Sequence, residues 1–454
     1  MTVSISNAQK LADQLSAASK QLMDDPQFKH AILGFYVEET GTGTPVFSLN
    51  EEVGLSPAST QKIVTAATAF HFLGSDFRYK TDFYTPTNIP ADSIVKGNLM
   101  VKGFGDPTLG SVRWKQTKDS VIFRQLRKAL QMQGIKGFTG NPLFDLSAFD
   151  SQALPGGWCI DDIGNYYGAG CYAVNWKENQ YDITLRSDNT KGSKVAIDKV
   201  DPYSTEYMIT SEVTANGTGD NAYIFLPVDY PDIVVRGTIP PGEKNFTISA
   251  AAVNPFNNIR DELLNKSGLF LKPASNTTVI ETMPSKKSKQ YKLVYTHQSP
   301  SLDSIAYWFL QKSVNLYGEA LVKTIAWQED SLGATNKGIE IIQEFWEQQG
   351  IDKYSLNMID GSGLSPQNKV TPKALVQVLQ YAHQQNWYDA FSKALPLYNN
   401  MKMKSGTIGG VKAFAGYHTA GNGKEYSFAI IVNNYDDTKG SITPKLFKIL
   451  DLLK

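Results

Sequence analysis

Hydrophobic positions follow helix-like and strand-like spacings in two parts of the chain that are far apart in sequence. Residues 7–23 have a helical pattern, and the alternating segments GFYVEE and PVFSL flank a GTGT turn, which predicts a β-hairpin. Residues 301–385 contain four helical patterns. The chain then closes with strand patterns at VKAFAGYHT and SFAIIVNNY, joined across Asn422-Gly423, a strong hairpin signal. Both ends therefore predict hairpins accompanied by helices.

The middle of the chain has a different pattern. Between residues 77 and 285, short strand-like segments alternate with turns, and the main helical patterns are VIFRQLRKALQMQG and NNIRDELLNK. The last piece, MPSKKSKQ, is polar and basic and predicts an exposed connection. The simplest architecture is one α/β domain formed by residues 1–76 and 286–454, interrupted by a β-rich insertion of residues 77–285.

Composition excludes some classes of function. A chain of 454 residues suits two or three domains, and its 44 basic and 44 acidic side chains cancel. Because no basic stripe with interleaved aromatic residues is present, we expect no nucleic-acid partner. The five histidines lack the spacing of metal ligands, so we predict neither a metal site nor a cofactor. Cys159 and Cys171 are compatible with a disulfide or with two free thiols.

The hydropathy of the chain bears on membranes and export. No apolar run approaches the roughly 20 residues that span a bilayer. The stretch SITPKLFKILDLLK is amphipathic, and we interpret it as a helix packed on a sheet, so that membrane association is at most peripheral. The start, MTVSISNAQKLADQL, lacks a signal-peptide pattern, which fits either a cytosolic protein or a mature N-terminus with an added Met.

One candidate nucleophile stands where a loop enters an apolar helix. Ser59 and Lys62 form an S-x-x-K motif, and positions three apart share a helix face, so the amine is expected beside the hydroxyl. A serine hydroxyl needs a base, and a lysine serves when burial or positive charge lowers its pKa. Alternatively, Ser59 or Thr60 caps the helix. A second match, at residues 93–96, falls in a strand-like stretch that separates the two side chains.

Two further short motifs follow later in the chain. Ser313 and Asn315 form S-x-N at the junction of two predicted helices, and Lys404, Ser405 and Gly406 form K-S-G at the start of a strand. Each motif alone has a structural explanation; Lys266-Ser267-Gly268, for example, is interpreted as a helix end with a glycine cap. All three motifs fall in the predicted α/β domain and none in the insertion, which favours a shared site.

The chain resembles the class C low-molecular-mass penicillin-binding proteins, the D-Ala-D-Ala carboxypeptidases and endopeptidases of the S13 type. Matching segments, in the same order, are ASTQKIVTAATAF, GFGDPTLG, GWCIDDIGNYYGAG, SPSLDSIAYWFLQKSVNLYGEAL, DGSGLSPQNKVTP and KSGTIGGVKAFAGYH. The resemblance implies an α/β (α+β) penicillin-binding/serine β-lactamase-like fold, with an antiparallel sheet flanked by helices and two small inserted β-rich domains. It also implies an exported enzyme, periplasmic or otherwise extracytoplasmic, without its signal peptide in this sequence.

The resemblance also implies roles for individual residues. Ser59 would attack the penultimate D-Ala carbonyl of a peptidoglycan stem peptide, with Lys62 as general base. Ser313 would relay a proton to the leaving D-Ala, Asn315 would bind the substrate backbone, and Lys404 would orient the terminal carboxylate. The oxyanion hole would come from the backbone N–H groups of Ser59 and Thr407, next to Ser405 and Gly406. A β-lactam would stall at the acyl-enzyme.

The sequence departs from the family pattern at one informative position. Members that grip a diaminopimelate side chain commonly place arginine directly after DGSGLS, where this chain has Pro366. The companion acidic and aromatic positions match Asp162 and Tyr167, which would meet the side-chain amine. The diamino-acid preference, and with it the balance of carboxypeptidase and endopeptidase action, stays open.

Three other functions share the motifs. A serine β-lactamase would need an extra base for deacylation, and such enzymes are much shorter. A non-catalytic cell-wall receptor would usually have lost one of the motif residues. A cytosolic esterase of the same fold is a third alternative.

Overall fold

The helices and strands are seen in a computed structural model that describes residues 2–89, 93–202, 207–228, 231–270, 279–280 and 290–454. Its α-helices are α1 (Thr2–Met23), α2 (Lys62–Leu73), α3 (Asp119–Met132), α4 (Ile160–Ile163), α5 (Pro255–Lys266), α6 (Leu302–Gln311), α7 (Asn315–Asp330), α8 (Thr335–Gln348), α9 (Pro372–His383), α10 (Tyr388–Ala394) and α11 (Thr443–Leu450). Its strands are β1 (Ile32–Glu39), β2 (Thr44–Leu49), β3 (Lys80–Pro86), β4 (Ser93–Val95), β5 (Leu99–Gly103), β6 (Ile135–Phe138), β7 (Pro142–Asp145), β8 (Gln180–Arg186), β9 (Ala196–Asp201), β10 (Ile209–Ser211), β11 (Thr214–Ala215), β12 (Asn221–Phe225), β13 (Ile233–Ile239), β14 (Phe246–Ala251), β15 (Val279–Ile280), β16 (Tyr291–Gln298), β17 (Leu356–Asn357), β18 (Lys369–Val370), β19 (Leu397–Tyr398), β20 (Met401–Ile408), β21 (Val411–Thr419) and β22 (Glu425–Asn433).

The chain divides into two compact units. Unit 1 comprises Met1–Phe77, Ser301–Ala326 and Thr335–Lys454, and unit 2 comprises Arg78–Pro300 and Trp327–Ala334. The domain border that the sequence suggested, at residues 285 and 286, lies outside the described residues, as does nearly all of MPSKKSKQ.

Two stretches that the sequence assigned to the α/β domain lie in unit 2. Residues 291–298 form β16, which pairs antiparallel with β3 at the edge of a unit 2 sheet. Residues 327–334 belong there as well, and the Gly333 N–H donates to Ala148 O at 2.8 Å. Both stretches belong to unit 2 because they pair with segments that are distant in the sequence. Local periodicity does not reveal such pairing.

Unit 1 is organised around a six-stranded antiparallel sheet in the order β19-β20-β21-β22-β1-β2. The predicted hairpins at both chain ends are confirmed, and they meet where β1 pairs with β22. Strand β22 is buried on both faces, so its sequence is a nearly continuous apolar run. The sheet thus joins the first and last parts of the chain in one core.

Helices cover both faces of this sheet. On one face, α1 and α11 contribute Leu15, Leu22, Leu446 and Ile449 to a core with Phe35, Phe414, Phe428 and Ile430 of the strands. The amphipathic C-terminal stretch is therefore a helix packed on a sheet, as predicted. On the other face, α9 packs against β1 and β22. Helix α2, with nine buried residues, ends at Gly74, whose φ of 78° suits glycine.

Unit 2 is built from smaller sheets. Its five-stranded sheet has the order β15-β7-β5-β3-β16, and α3 and α5 supply apolar side chains to the core that it shares with Phe83, Val101 and Phe144. A second core lies among β8, β12, β13 and β14. Two separate cores are consistent with the expectation of two small β-rich domains, which remains a proposal.

No helix in the described ranges is both long and apolar enough to cross a bilayer.

Candidate active site

Ser59 lies in a short 3₁₀-helix, Ala58–Gln61, that runs directly into α2. Ala58 has a φ of 45°, an uncommon left-handed conformation that costs roughly 1–2 kcal/mol. Strain of this kind is often found at functional sites, where the surrounding structure compensates for it. The alternative that Ser59 or Thr60 caps the helix is wrong, because neither helix start here has a side-chain cap. Thr60 Oγ1 instead donates to Pro57 O at 2.6 Å, and neither residue caps with its side chain.

Lys62 occupies the centre of the site, and its side chain is fully buried. Its Nζ lies 3.0 Å from Ser59 Oγ, 2.6 Å from Asn315 Oδ1 and 2.6 Å from Ser362 O. The one-turn spacing of the S-x-x-K motif therefore places the amine beside the hydroxyl, as predicted. In the competing match at residues 93–96, Ser93 begins strand β4, as the strand-like pattern predicted, and Lys96 directly follows that strand.

Burial controls the charge of Lys62. Desolvation lowers the pKa of Lys62 to about 7, although the charges of Asp360 and Glu319 act in the opposite direction. An amine with this pKa is partly neutral at physiological pH and can therefore accept a proton.

The S-x-N motif lies at the junction of α6 and α7. Asn315 is the first residue of α7 and is buried, with its Oδ1 directed at Lys62 Nζ. Ser313 is half-buried and has a φ of 58°, so the chain takes a left-handed step between the two helices. The predicted inter-helix position of the motif is confirmed.

The K-S-G motif lies on β20, next to the Ser59 segment. A Cβ placed on Gly406 would be 2.6 Å from Pro57 O and 3.0 Å from Ser59 N, so only glycine allows this close approach. Lys404 is buried, and its Nζ donates to Ser405 O at 2.9 Å. Burial, together with the positive charges of Lys62 and Lys412, holds the pKa of Lys404 well below its usual value.

Thr407 has a partner that the sequence did not suggest. Lys412, directly opposite Thr407 in the β20–β21 ladder, donates from Nζ to Thr407 Oγ1 at 2.8 Å. The amine of Lys412 also lies 5.2 Å from the centre of the Phe414 ring. This lysine adds positive charge beside the hydroxyl of the K-S-G-T segment.

The DGSGLS segment, residues 360–365, forms a loop that packs on α2. Gln61 Nε2 donates to Asp360 O at 2.6 Å, and Thr65 Oγ1 donates to Gly361 O at 2.7 Å. The Asp360 carboxylate accepts backbone N–H groups from Gly363 and Ser365, both at 2.7 Å. The segment was recognised in the sequence as a family hallmark, but its contribution to the site, the carbonyl of Ser362, was missed.

Asp162 and Tyr167 lie in unit 2, in and just after α4, and both are half-buried. Their side chains hydrogen-bond to each other. Burial raises the pKa of Asp162, although the bond from Tyr167 lowers it. Nearby in the sequence, Cys159 is exposed and Cys171 is buried, and no disulfide joins them.

The fold and the arrangement of the three motifs define a serine enzyme of the penicillin-binding class. The family model described as "D-Ala-D-Ala carboxypeptidase 3 (S13) family" matches residues 15–446, so the chain belongs to this family. The predicted family and enzyme class, a serine-type D-Ala-D-Ala carboxypeptidase, are confirmed.

Individual relatives agree with this assignment. The chain is 26% identical over 444 residues to a D-alanyl-D-alanine carboxypeptidase of Actinomadura sp. (strain R39), a match that covers 91% of this chain and 80% of the relative. It is 25% identical over 425 residues to D-alanyl-D-alanine carboxypeptidase DacB of Haemophilus influenzae, covering 89% and 85%.

A solved structure confirms the predicted fold class. The crystal structure of penicillin binding protein 4 (dacB) from Haemophilus influenzae aligns with a TM-score of 0.77 at 22% identity, covering 98% of both chains. A crystal structure of the same protein complexed with a β-lactam aligns with a TM-score of 0.73 at 22% identity, covering 97% of this chain and 99% of that one.

Proposed function

We propose that this chain cleaves the D-Ala-D-Ala bond and cross-links of peptidoglycan stem peptides through an acyl-enzyme on Ser59, and that β-lactams acylate the same hydroxyl. The observation that carries the proposal is the position of the buried Lys62 amine, 3.0 Å from Ser59 Oγ. The relatives named as D-alanyl-D-alanine carboxypeptidases and the β-lactam complex of a structural neighbour support the choice of substrate and inhibitor.

The partners of Lys62 support its role as the general base. A neutral amine has two N–H groups and one lone pair. Donation to Asn315 Oδ1 and Ser362 O uses both N–H groups, which leaves the lone pair for the O–H of Ser59. Lys62 then takes the Ser59 proton while Ser59 Oγ attacks the carbonyl carbon of the penultimate D-Ala.

The direction of the backbone N–H groups on β20 supports the oxyanion hole. The Met403 N–H points away from β21, because it donates to Pro396 O at 2.9 Å. N–H directions alternate along a strand, and the β20–β21 register is regular, so the Thr407 N–H points to the same edge. Gly406 brings this edge against the Ser59 backbone. The N–H groups of Ser59 and Thr407 would there bind the oxygen of the tetrahedral intermediate.

The other motif residues complete the reaction. Ser313 passes its hydroxyl proton to the amine of the terminal D-Ala as the C–N bond breaks, and it takes in return the proton that Lys62 received from Ser59. Asn315 also contacts the peptide backbone. Lys404, aided by the hydroxyls of Ser405 and Thr407, binds the terminal carboxylate. Water then hydrolyses the ester on Ser59, whereas the ring-opened product of a β-lactam stays attached.

Asp162 and Tyr167 are proposed to receive the amine at the end of the substrate's diamino-acid side chain. The proposal stands on the match to the family segment and on their mutual hydrogen bond. A peptidoglycan substrate also places the enzyme outside the cytoplasm, in the periplasm or another extracytoplasmic space.

Labelling with fluorescent penicillin tests the proposal. A stable covalent adduct is expected on the wild-type protein and on Ser93→Ala, which alters the competing motif, but not on Ser59→Ala. Rapid turnover of the drug would instead indicate a β-lactamase, and absence of any adduct would indicate a receptor. D-Ala release from a pentapeptide, measured with the same three proteins, then tests the peptidase reaction.

A further inference from the structure

A buried carboxyl that belongs to none of the three motifs lies next to the active-site lysine. Glu319 is fully buried on α7, one helical turn after Asn315 and therefore on the same face of the helix. Its Oε2 accepts the backbone N–H of Gly361 at 3.0 Å. The backbone of α7 and the backbone of the loop are close here, since a Cβ on Gly361 would be 2.5 Å from Gly318 O.

Glu319 contacts the loop that also contacts Lys62. Residue 361 is bonded through its N–H to Glu319, and residue 362 accepts the Lys62 N–H through its carbonyl. From the other side, Thr65 of α2 donates to Gly361 O at 2.7 Å. Glu319 and α2 therefore both hold residues 361–362 in place. The position of the Ser362 carbonyl, which orients the Lys62 amine, depends on both contacts.

Two polar atoms in this cluster have unused bonding capacity. Glu319 Oε1 and Ser362 Oγ are buried and complete no hydrogen bond with the described residues, although the Ser362 hydroxyl is near enough to favour the charged form of Glu319. A carboxylate buried in this way with one N–H donor is poorly solvated. Burial, followed by the charge of Asp360, raises the pKa of Glu319 to about 8.

We propose that Glu319 is a positioning residue of the active site: its buried carboxyl holds residues 361–362 against Lys62 and sets the charge of that lysine. This inference rests on the proposed function. Glu319 does not touch Ser59, and its effect on acylation passes through the Lys62 amine.

The charges around Glu319 define two arrangements of one proton. The charges of Lys62 on α2 and Asp360 in the loop both act on Glu319. The buried Lys323 follows Glu319 by one turn on α7. Lys404 of β20 adds positive charge near Lys62. In one arrangement Lys62 is an ammonium and Glu319 is a carboxylate, and each charge favours the ionised form of the other. In the other, the proton is on the Glu319 carboxyl, and the neutral Lys62 amine is ready to accept from Ser59. The enzyme reacts when the Lys62 amine is neutral, as it is in the second arrangement.

Two substitutions distinguish the two roles of Glu319, which are its hydrogen bond to the 361–362 segment (the clamp) and its negative charge. Glu319→Gln keeps an oxygen for the Gly361 N–H but removes the negative charge that favours the Lys62 ammonium. The acylation rate rises with pH, and the midpoint of that rise should move to lower pH by about one unit. Glu319→Ala removes both functions and should slow acylation at every pH by at least about tenfold. The matched control is Glu329→Gln, an exposed glutamate of the same helix, which should behave as wild type.

The measurement is the second-order rate constant for fluorescent-penicillin acylation across pH, with folding checked by circular dichroism. A Glu319→Gln midpoint equal to that of wild type would overturn the charge role, and wild-type rates in Glu319→Ala would overturn the clamp. If Glu319→Gln does not fold, Glu319→Asp, which keeps the charge, should keep the wild-type midpoint at a lower rate; a shifted midpoint would contradict the inference. Failure of the wild-type protein to label would instead reject the proposed function.

Discussion

Asn315 Oδ1 lies 2.6 Å from Lys62 Nζ, although 253 residues separate the two in the sequence. The contact joins the first turn of α7 to the first turn of α2. It fixes the direction of the amine, because a lysine that donates to Asn315 and to the carbonyl of Ser362 has only one direction left for its lone pair.

Acylation should depend on the neutral form of Lys62. Its pKa is lowered to about 7, so the rate should rise as pH increases through about 7 and level off above it. Lys62→Arg, which stays charged, should reduce acylation at least about 100-fold at all pH values. Timed labelling with fluorescent penicillin in buffers on both sides of the midpoint measures both effects. A flat wild-type profile would contradict the assignment of Lys62 as base.

Asn315→Asp should shift this profile to higher pH. A carboxylate 2.6 Å from the amine stabilises the ammonium form and raises the pKa of Lys62, by about one unit or more. At neutral pH the variant should therefore be slower than wild type and should recover as pH rises. Asn357→Asp, at an exposed position of β17, is the control that should leave the midpoint unchanged. Equal midpoints in all three proteins would show that residue 315 does not act on Lys62.

Lys412→Met should weaken the reaction with carboxylate-bearing substrates. The amine lies 2.8 Å from Thr407 Oγ1, where it adds to the positive potential of the site. A roughly two- to fivefold loss in acylation rate is expected, together with a weaker dependence on salt. Lys424→Met, at an exposed lysine paired with Glu39, is the control. If both variants lose activity equally, only the general charge of the protein matters.

Gly363→Ala should destabilise the protein. Its φ is 80°, and a Cβ there would be 2.0 Å from Ala58 O, so the DGSGLS loop and the Ser59 segment would have to separate. A loss of about 2–3 kcal/mol in unfolding free energy is expected, with slower acylation. Gly409→Ala, where a Cβ meets nothing within 4 Å, should change stability by less than about 0.5 kcal/mol. Urea unfolding of both variants checks the contrast.

Pro366→Arg should alter the choice of peptide. The backbone carbonyl of residue 366 accepts from Ser56 Oγ at 2.9 Å and from Lys369 Nζ at 2.7 Å, and both bonds survive the substitution. The family resemblance leads us to expect that an arginine here pairs with the free carboxylate of diaminopimelate. D-Ala release should then favour the diaminopimelate peptide over the lysine peptide by about tenfold more than in wild type. If the ratio of D-Ala release from the two peptides does not change, residue 366 does not contribute to the choice of peptide.

Much of the site could be predicted because its motifs are local. Ser59 and Lys62 are one helical turn apart, so the periodicity of the helix alone brings the hydroxyl and the amine together. The hairpins at both ends of unit 1 were also predictable, since alternation and Asn422-Gly423 specify pairing between neighbouring strands. The order of the three motifs then indicated the family.

Glu319 and the carbonyl of Ser362 could not be recognised in the same way. A glutamate in an apolar helix is ordinary until its burial is known, and a backbone carbonyl has no signature in the sequence. The four-residue spacing from Asn315 to Glu319 was the one signal present, and it shows a shared helix face without showing what that face meets. The position of β16 was missed for the same reason, because its partner β3 lies more than two hundred residues earlier.

Local sequence patterns are enough to predict the features whose contacts are close along the chain: the helices, the hairpins, the pairing of Ser59 with Lys62 and the family that the motifs identify. The groups that surround the Lys62 amine come from distant parts of the chain, and its lowered pKa and its coupling to Glu319 became visible only in the folded molecule. The charge of a buried group depends on desolvation and on neighbours in space, which side-chain spacing along one helix does not specify.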